Sequence, residues 1–436
     1  MEPATETRLA DVPAQEMYDL VAALYPICRS ITGEGVRETL RTIGEHIDLD
    51  VHEVPSGTQV FDWRVPREWN IEDAYVANLR GERVIDFRAN NLHVLNYSIP
   101  VRRRVSRDEL LEHLFSLPDR PDWTPYRTSY YEENWGFCLP HEQLLELRDD
   151  SYDVCIDSSL VDGNLTYAEC HLPGASDDEI LVYAHVCHPS LANDNLSGVA
   201  VATFLAQEIA TWPRRYSYRF LFAPGTIGST TWLATNEQSA TRIKHGLVLA
   251  GVGDPGPSTY KRSRIGDAEI DRAVIHVLRH SGGRHEVREF SPLGYDERQF
   301  CSPGFNLSVG CLMRTPYGEY PEYHTSADDL KLVRPESLAD SFAKCVAVLQ
   351  LIERNLTYVN LNPKCEPQLG RRGLYAGIGG TSDGRELERA FLWILNLSDG
   401  GHSLLDIAER SELPFDLVHK AASELVDASL LHEIER

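Results

Sequence analysis

The stretch ILVYAHVCHPSLANDNLSGVAVATFLAQEIA, residues 180–210, limits what this chain can fold into more than any other. An apolar run of strand length stops at His185, a polar loop carries Cys187, His188 and Asp194, and a helical pattern follows at once. A short run without alternation fits a strand covered on both faces, and a helix directly after it fits a crossover unit. The same texture recurs. YAECHLPG, SYRFLFAP and HGLVLAGVG read as strands, whereas TTWLATNEQS, EIDRAVIHVLRHS and ESLADSFAKCVAVLQLIER read as helices. This alternation predicts a three-layer α/β domain with a mostly parallel central sheet.

Three other textures flank it. Residues 18–47 read as two helices broken at CRSITGEG. Residues 55–150 are rich in Trp, Val and turn residues and read as an inserted, mostly-β module, with one helix at SRDELLEHLFSLP behind a Ser cap. Residues 370–436 read as a compact helical tail with the spacing of a winged helix. The organisation expected is therefore a discontinuous main domain, residues 1–54 and 151–362, an insert at 55–150, and the tail.

Charge and cysteine content narrow the function classes. The net charge is −24 over 436 residues, which opposes phosphate backbones, and the tail from Arg371 holds 12 acids against 7 bases. No nucleic-acid partner is expected, and the tail is assigned a packing or homo-oligomer-forming role. No apolar run is long enough to span a bilayer, the first residues lack the basic and apolar regions of a signal peptide, and the nine cysteines form no CxxC pair. These features lead to the expectation of a cytoplasmic protein with reduced thiols and no membrane partner.

The chemistry is concentrated at strand ends. His185 ends one apolar run, Asp194 precedes a helix, Asp254 closes LVLAGVGD, and His324 lies in PEYHTSADDL. Loops at the carboxyl ends of parallel strands are where open α/β sheets bind ligands. Two imidazoles and two carboxylates there form a Zn²⁺ ligand set. Taken singly, each residue also fits a hydrogen-bonded strand end or a helix cap. Cys187, between two histidines, reads as a nucleophile, or as a small buried residue or metal ligand, the latter pair favoured.

The order NDNLSGVA (193–200), IGS (227–229), GVGD (251–254), YDERQF (295–300) and YHTSADD (323–329) resembles the zinc aminopeptidases, a superfamily that includes glutaminyl cyclases. SITGEGVRETL, DWRVPREWNI, HVCHPS and YHTSADDL bring the chain nearer to a bacterial aminopeptidase-like family with an inserted β module and a C-terminal winged helix. Members of that family often sit among polysaccharide or specialised-metabolite biosynthesis genes. The resemblance implies that Asp194 bridges two metals, that His185 and Asp254 complete the first site, and that His324 binds the second. It also implies that Asp296 positions its neighbours and that Asn195 shapes the loop. His188 is an additional candidate ligand.

The departures matter. Where the superfamily carries a Glu-Glu pair, as general base and metal ligand, this chain has Pro224, Gly225 and Thr226. General acid–base help is worth ~10²–10⁴-fold. Glu297 is the preferred substitute and Glu322 the second. One firmly bound Zn²⁺ and a weaker second position are expected. Arg298, Arg314 and Tyr317 are candidates to grip a substrate or to pair at the surface, and Trp63 and Trp69 are expected to pack the insert. The function expected is a metal-dependent hydrolase cleaving an aminoacyl or N-acyl amide of a peptide or small molecule. The alternatives are a non-hydrolytic metal-binding pseudoenzyme and a metal-dependent cyclase or acyl transferase.

Overall fold

The computed structural model describes residues 12–374 and 382–434, so most of the N-terminal stretch read for targeting signals lies outside the described residues. The chain divides into two compact units. One comprises the residues up to Ala268 together with Arg284–Ala343, and the other comprises Glu269–Gly283 and the residues from Lys344.

The first unit is built on an eight-stranded sheet. Its strands are β1 (Asp50–Pro55), β2 (Asn164–Leu172), β3 (Glu179–His185), β4 (Ser217–Ala223), β5 (Ile243–Leu249), β6 (Ser258–Lys261), β7 (His285–Arg288) and β8 (Val309–Met313). The spatial order is β1-β2-β4-β3-β5-β8-β6-β7. The central four, β4-β3-β5-β8, are parallel. β1, β2 and β6 join antiparallel, so the sheet is mixed toward its edges rather than mostly parallel throughout. Every residue of β3 and β4 is buried, which explains why neither alternates in sequence. Helix α3 (Gly198–Ala210) packs on β3, β4 and β5, and α1 (Ala14–Leu24) packs on α3. Helices α2 (Glu34–Gly44) and α4 (Ile227–Thr235) both touch β2.

Parallel register sets up the site. His185 stands opposite Ala223 across the β3–β4 ladder, and Tyr183 stands opposite Val248 across β3–β5. The loops that begin at Val186, Pro224 and Ala250 therefore open at one end of the sheet.

The insert differs from its reading as a separate module. Its four-stranded antiparallel sheet comprises Glu68–Ala77, Arg83–Asp86, Val101–Ser106 and Ser151–Val161, so its last strand lies beyond residue 150. One hydrophobic cluster runs without a break from Trp69, Val76 and Phe137 of the insert to Leu181, Tyr183, Leu221 and Trp232 of the main sheet. A shared core of this kind makes the two parts one folding body. Trp69 is buried in that core as expected, but Trp63 lies outside it, 52% exposed, with its ring against Tyr131.

In the second unit, strand Thr357–Asn360 lies between Asp399–Ser403 and Leu431–Ile434 in a three-stranded sheet. The winged-helix fold thus starts before residue 370. Ser403 and Asp406 form a reciprocal capping box at helix Leu404–Ser411. Helix Glu269–His280, read as part of the main domain, belongs here, and its Arg272 pairs with Asp406 and Glu409. Among the described residues, no helix is long and apolar enough to cross a membrane.

Candidate metal centre

The loop after β3 is stitched to the loop after β5 by alternate side chains of NDNLSG. Asn193 Oδ1 accepts from Gly253 N at 2.9 Å, Asn195 Oδ1 accepts from Gly251 N at 3.1 Å, and Ser197 Oγ accepts from Val252 N at 3.0 Å. Asn195 Nδ2 also donates to Leu249 O at 2.8 Å and faces His185 Nδ1 at 3.3 Å. A side chain at Gly198 would place its Cβ 2.4 Å from Leu249 O, so the two loops close only with glycine there. The spacing of polar residues in this motif is the spacing needed to pair the backbone of a neighbouring loop.

These bonds leave Asp194 at the centre, with no exposed surface. Its Oδ1 lies 3.0 Å from His185 Nε2, and its Oδ2 lies 3.1 Å from His324 Nε2 and 3.8 Å from His188 Nδ1. Burial alone would raise the Asp194 carboxyl, but the imidazoles facing it, His185 and His324 by hydrogen bonds, hold it well below the usual range. Burial pushes His188 down to about 3, so its ring is neutral near pH 7. His188 Nδ1 is buried without a hydrogen-bond partner. A neutral, unpartnered imidazole facing a carboxylate fits a metal ligand better than a structural residue. The ligand atoms of His185, His188 and Asp194 lie within 4.8 Å of one another, the spread one ion can close.

Aromatic rings hold these imidazoles. Tyr295 stacks on His185 at 5.4 Å, Tyr323 stacks on His324 at 4.0 Å, and Tyr126 of the insert meets both His188 and His324 edge-on. His324 has φ of 54°, a left-handed conformation costing about 1–2 kcal/mol for a residue with a Cβ. The insert supports this strain. Tyr126 N donates to His324 O at 2.8 Å, Pro125 bridges Thr325, and Ser326 N donates to Thr124 O at 2.8 Å. A segment read as a separate module thus fixes one of the site histidines.

Asp328 went unnoticed in the sequence. Its carboxylate accepts from Asn193 N at 2.6 Å and Asp194 N at 3.0 Å, and its carbonyl accepts from Ala192 N at 2.9 Å. Burial raises its carboxyl well above the usual range. Its position four residues after His324 was the available signal. Arg29, fully buried in the broken helix pair, donates to His188 O at 2.9 Å.

Other candidates lie elsewhere. The Asp254 carboxylate receives Thr315 Oγ1 at 2.6 Å, Gly256 N at 2.7 Å, Asn193 Nδ2 at 3.1 Å and Thr315 N at 3.2 Å, so its oxygens are engaged by those donors. Glu297 is fully buried and paired with Lys261, whose ammonium also donates to Leu293 O at 2.6 Å. That pairing disfavours it as the general base expected from sequence. Glu322 lines a cavity of about 370 Å³ with Trp123, Ser326, Asp329 and Lys331. Arg314 pairs with Asp340, and Arg298 reaches Pro292 O at 3.5 Å. Cys187 is buried with its thiol pushed up to about 12 by burial, which disfavours a thiolate nucleophile.

Asp296 is the acid beside the departure. Its Oδ1 accepts from Ser229 Oγ. Its Oδ2 lies 2.7 Å from where a Cβ on residue 225 would sit, and that Cβ would be 3.3 Å from His185 Cβ. Gly225 therefore makes room for the Asp296 carboxylate, and any side chain at 225 would displace it.

A strand-end histidine, a central aspartate before a helix and a distal histidine, on this mixed sheet, define an α/β fold of the zinc-aminopeptidase type with a C-terminal winged helix. The fold is similar to a zinc aminopeptidase from Bacillus subtilis (TM-score 0.57, 11% identity, 77% of this chain and 94% of that one). It is also similar to an aminopeptidase from Aneurinibacillus sp. strain AM-1 (TM-score 0.52, 14% identity, 79% and 95%). Residues 18–355 match the family described as a domain of unknown function, DUF4910, and residues 356–433 match a winged helix-turn-helix. The chain belongs to the DUF4910 family. A Clostridium acetobutylicum protein provisionally named a polysaccharide biosynthesis protein with an aminopeptidase-like domain is 55% identical over 416 residues, 95% of this chain and 96% of that one. A crystal structure of a provisionally named peptidase from the same organism matches with a TM-score of 0.92 and 53% identity over 97% of this chain and 96% of that one.

Proposed function

We propose that the protein is a metal-dependent hydrolase that cleaves an aminoacyl or N-acyl amide of a small molecule or short peptide. The observation that carries this is the buried Asp194 carboxylate ringed by three imidazoles, one of them neutral and unpartnered. His185, His188, Asp194 and His324 would hold the metal. When bound, a Zn²⁺ ion polarises a carbonyl and brings the pKa of water toward neutrality.

The protein's own residues do the rest. Tyr295 and Tyr323 fix the planes of two imidazoles by stacking. Asp328 fixes the loop backbone. Asp296, oriented by Ser229 and placed where Gly225 leaves space, is the group proposed to accept and return the proton. A Gly225→Glu substitution alone is expected not to restore a general base, because its side chain would collide with Asp296. The printed name of the Clostridium relative favours a substrate from polysaccharide biosynthesis.

A second reading is acyl transfer or cyclisation, which needs no activated water. The tie between Glu297 and Lys261, together with the absence of a side chain at 225, favours it. Turnover of N-acyl and aminoacyl amides by the zinc-loaded protein in ¹⁸O-water separates the two. Label in the released acid supports hydrolysis. Turnover without label contradicts it.

A further inference from the structure

Three large aromatic side chains stand in solvent on the insert: Phe61 at 46%, Trp63 at 52% and Tyr131 at 51% exposed. Phe61 and Trp63 sit on a hairpin whose two-residue strands are Gln59–Val60 and Trp63–Arg64. Its Val60 is fully buried, so the hairpin is anchored, and it packs against α4, the helix that follows Gly225. Phe61 and Tyr131 have φ of 55° and 68°, so both rings are held out by left-handed backbone. Residues with a Cβ adopt that conformation seldom, and it concentrates at binding sites.

The patch is continuous with the metal centre. Tyr126, edge-on to His188 and His324, shares a 2.8 Å hydrogen bond with Tyr130 through their hydroxyls. The Tyr130 ring meets Tyr131 at 6.5 Å, and Tyr131 meets Trp63 at 5.3 Å. At the other side Phe61 meets Phe305 edge-on at 5.7 Å. An unbroken line of rings thus runs from the site histidines to the exposed indole.

The chemistry of the patch selects its occupant. It is an open platform, with each ring about half exposed, rather than an enclosed groove of the kind that buries most of an apolar ligand. Its neighbours in sequence are planar and charged: Asp62, Arg64, Glu132 and Glu133 are all exposed. A pyranose has an apolar C–H face that lies on an aromatic ring and a hydroxyl edge that bonds to carboxylate and guanidinium groups. An apolar acyl chain or a lipid offers nothing to that rim.

We propose that Trp63 and Tyr131, with Phe61, form a distal subsite that stacks a pyranose ring of an N-acylated amino-sugar oligomer, whose amide then reaches the Asp194 centre. This names the substrate class of the proposed hydrolase and rests on that reading, but the subsite is tested apart from catalysis.

The experiment is calorimetric titration of the full chain, metal-free and zinc-loaded, with N-acetylglucosamine di-, tri- and tetrasaccharides. Tetra-alanine serves as the peptide control. The oligosaccharides are expected to bind both forms. Trp63→Ala and Tyr131→Ala should each weaken binding tenfold or more, and Trp63→Phe should restore most of it. Zinc uptake should be unchanged in all three variants, which shows that they fold and keep the centre. Sugar binding that depends on Trp63 in a chain that takes up no zinc would leave the subsite standing and remove the hydrolase reading. Absence of oligosaccharide binding, binding indifferent to Trp63 and Tyr131, or preferential Trp63-dependent binding of tetra-alanine would overturn the subsite.

Discussion

Asp194 and Asp254 both follow central strands of one sheet and both are buried, yet their surroundings differ in kind. Asp254 is saturated by two backbone N–H groups, a hydroxyl and a carboxamide, all of them donors that belong to the fold. Asp194 is faced by three imidazoles, one of them with an unused buried nitrogen. Buried polar atoms are normally paired, so an unpaired one beside a carboxylate marks a place reserved for something else. The two carboxylates thus differ in their partners, fold donors for Asp254 and imidazoles for Asp194, and the proposed function assigns the ion to the latter.

The largest effect of substitution should come at Asp194. Asp194→Asn is expected to lower zinc affinity at least about a hundredfold, more than loss of a supporting contact costs. A chelator-competition titration of the full chain measures this, and unchanged affinity would put the ion elsewhere. Asp328→Ala should come next. It leaves the Asn193 and Asp194 amides buried and unpaired, at a cost of about 3 kcal/mol of stability. Denaturant unfolding reads the loss, and a change within error would mean that another group takes over those amides.

The neutrality of His188 gives a pH dependence. Its folded pKa is pushed down to about 3 by burial, whereas an unfolded imidazole titrates near 6.5. Below pH 6.5 the unfolded chain therefore binds a proton that the folded chain refuses, and stability falls as pH drops toward 3. At pH 5 this residue should contribute roughly 2 kcal/mol of that loss in the metal-free protein. His188→Asn should flatten the stability profile between pH 6.5 and 5 relative to the parent chain. Identical profiles would mean that His188 is charged or exposed.

The smallest effect should come at Asp254. Asp254→Asn should change zinc affinity less than about threefold and cost about 1 kcal/mol, since one acceptor becomes a donor against Thr315 or Gly256. A loss of affinity as large as that of Asp194→Asn would erase the distinction between the two carboxylates.

Much of this was legible in the sequence, and the rest was hidden for physical reasons. β3 and β4, mostly apolar and followed by helices, announced the parallel centre of the sheet. His185, Asp194 and His324 were identified from their order along the chain, with His188 as an additional candidate, and the three imidazoles all face Asp194. Asp254 matched the same order, but order cannot show whether a carboxylate is already satisfied by Thr315 and Gly256. Glu297 was preferred over Glu322 as the replacement acid, and nothing local signals that Lys261, thirty-six residues earlier in the chain, reaches back to it. The contribution of Tyr126 and Pro125 to His324 was invisible for a similar reason, since a strand pairing across about two hundred residues leaves no periodic trace.

The proposed centre requires the three imidazoles and Asp194 to share one ion. Zinc titration of the metal-stripped full chain, followed by X-ray absorption at the zinc edge on the one-equivalent complex, tests this most directly. One tight equivalent in a shell of imidazole nitrogen and carboxylate oxygen, lost in Asp194→Asn and retained in Asp254→Asn, is the predicted result. No tight equivalent, two equal ones, or a shell that contains sulfur would contradict it.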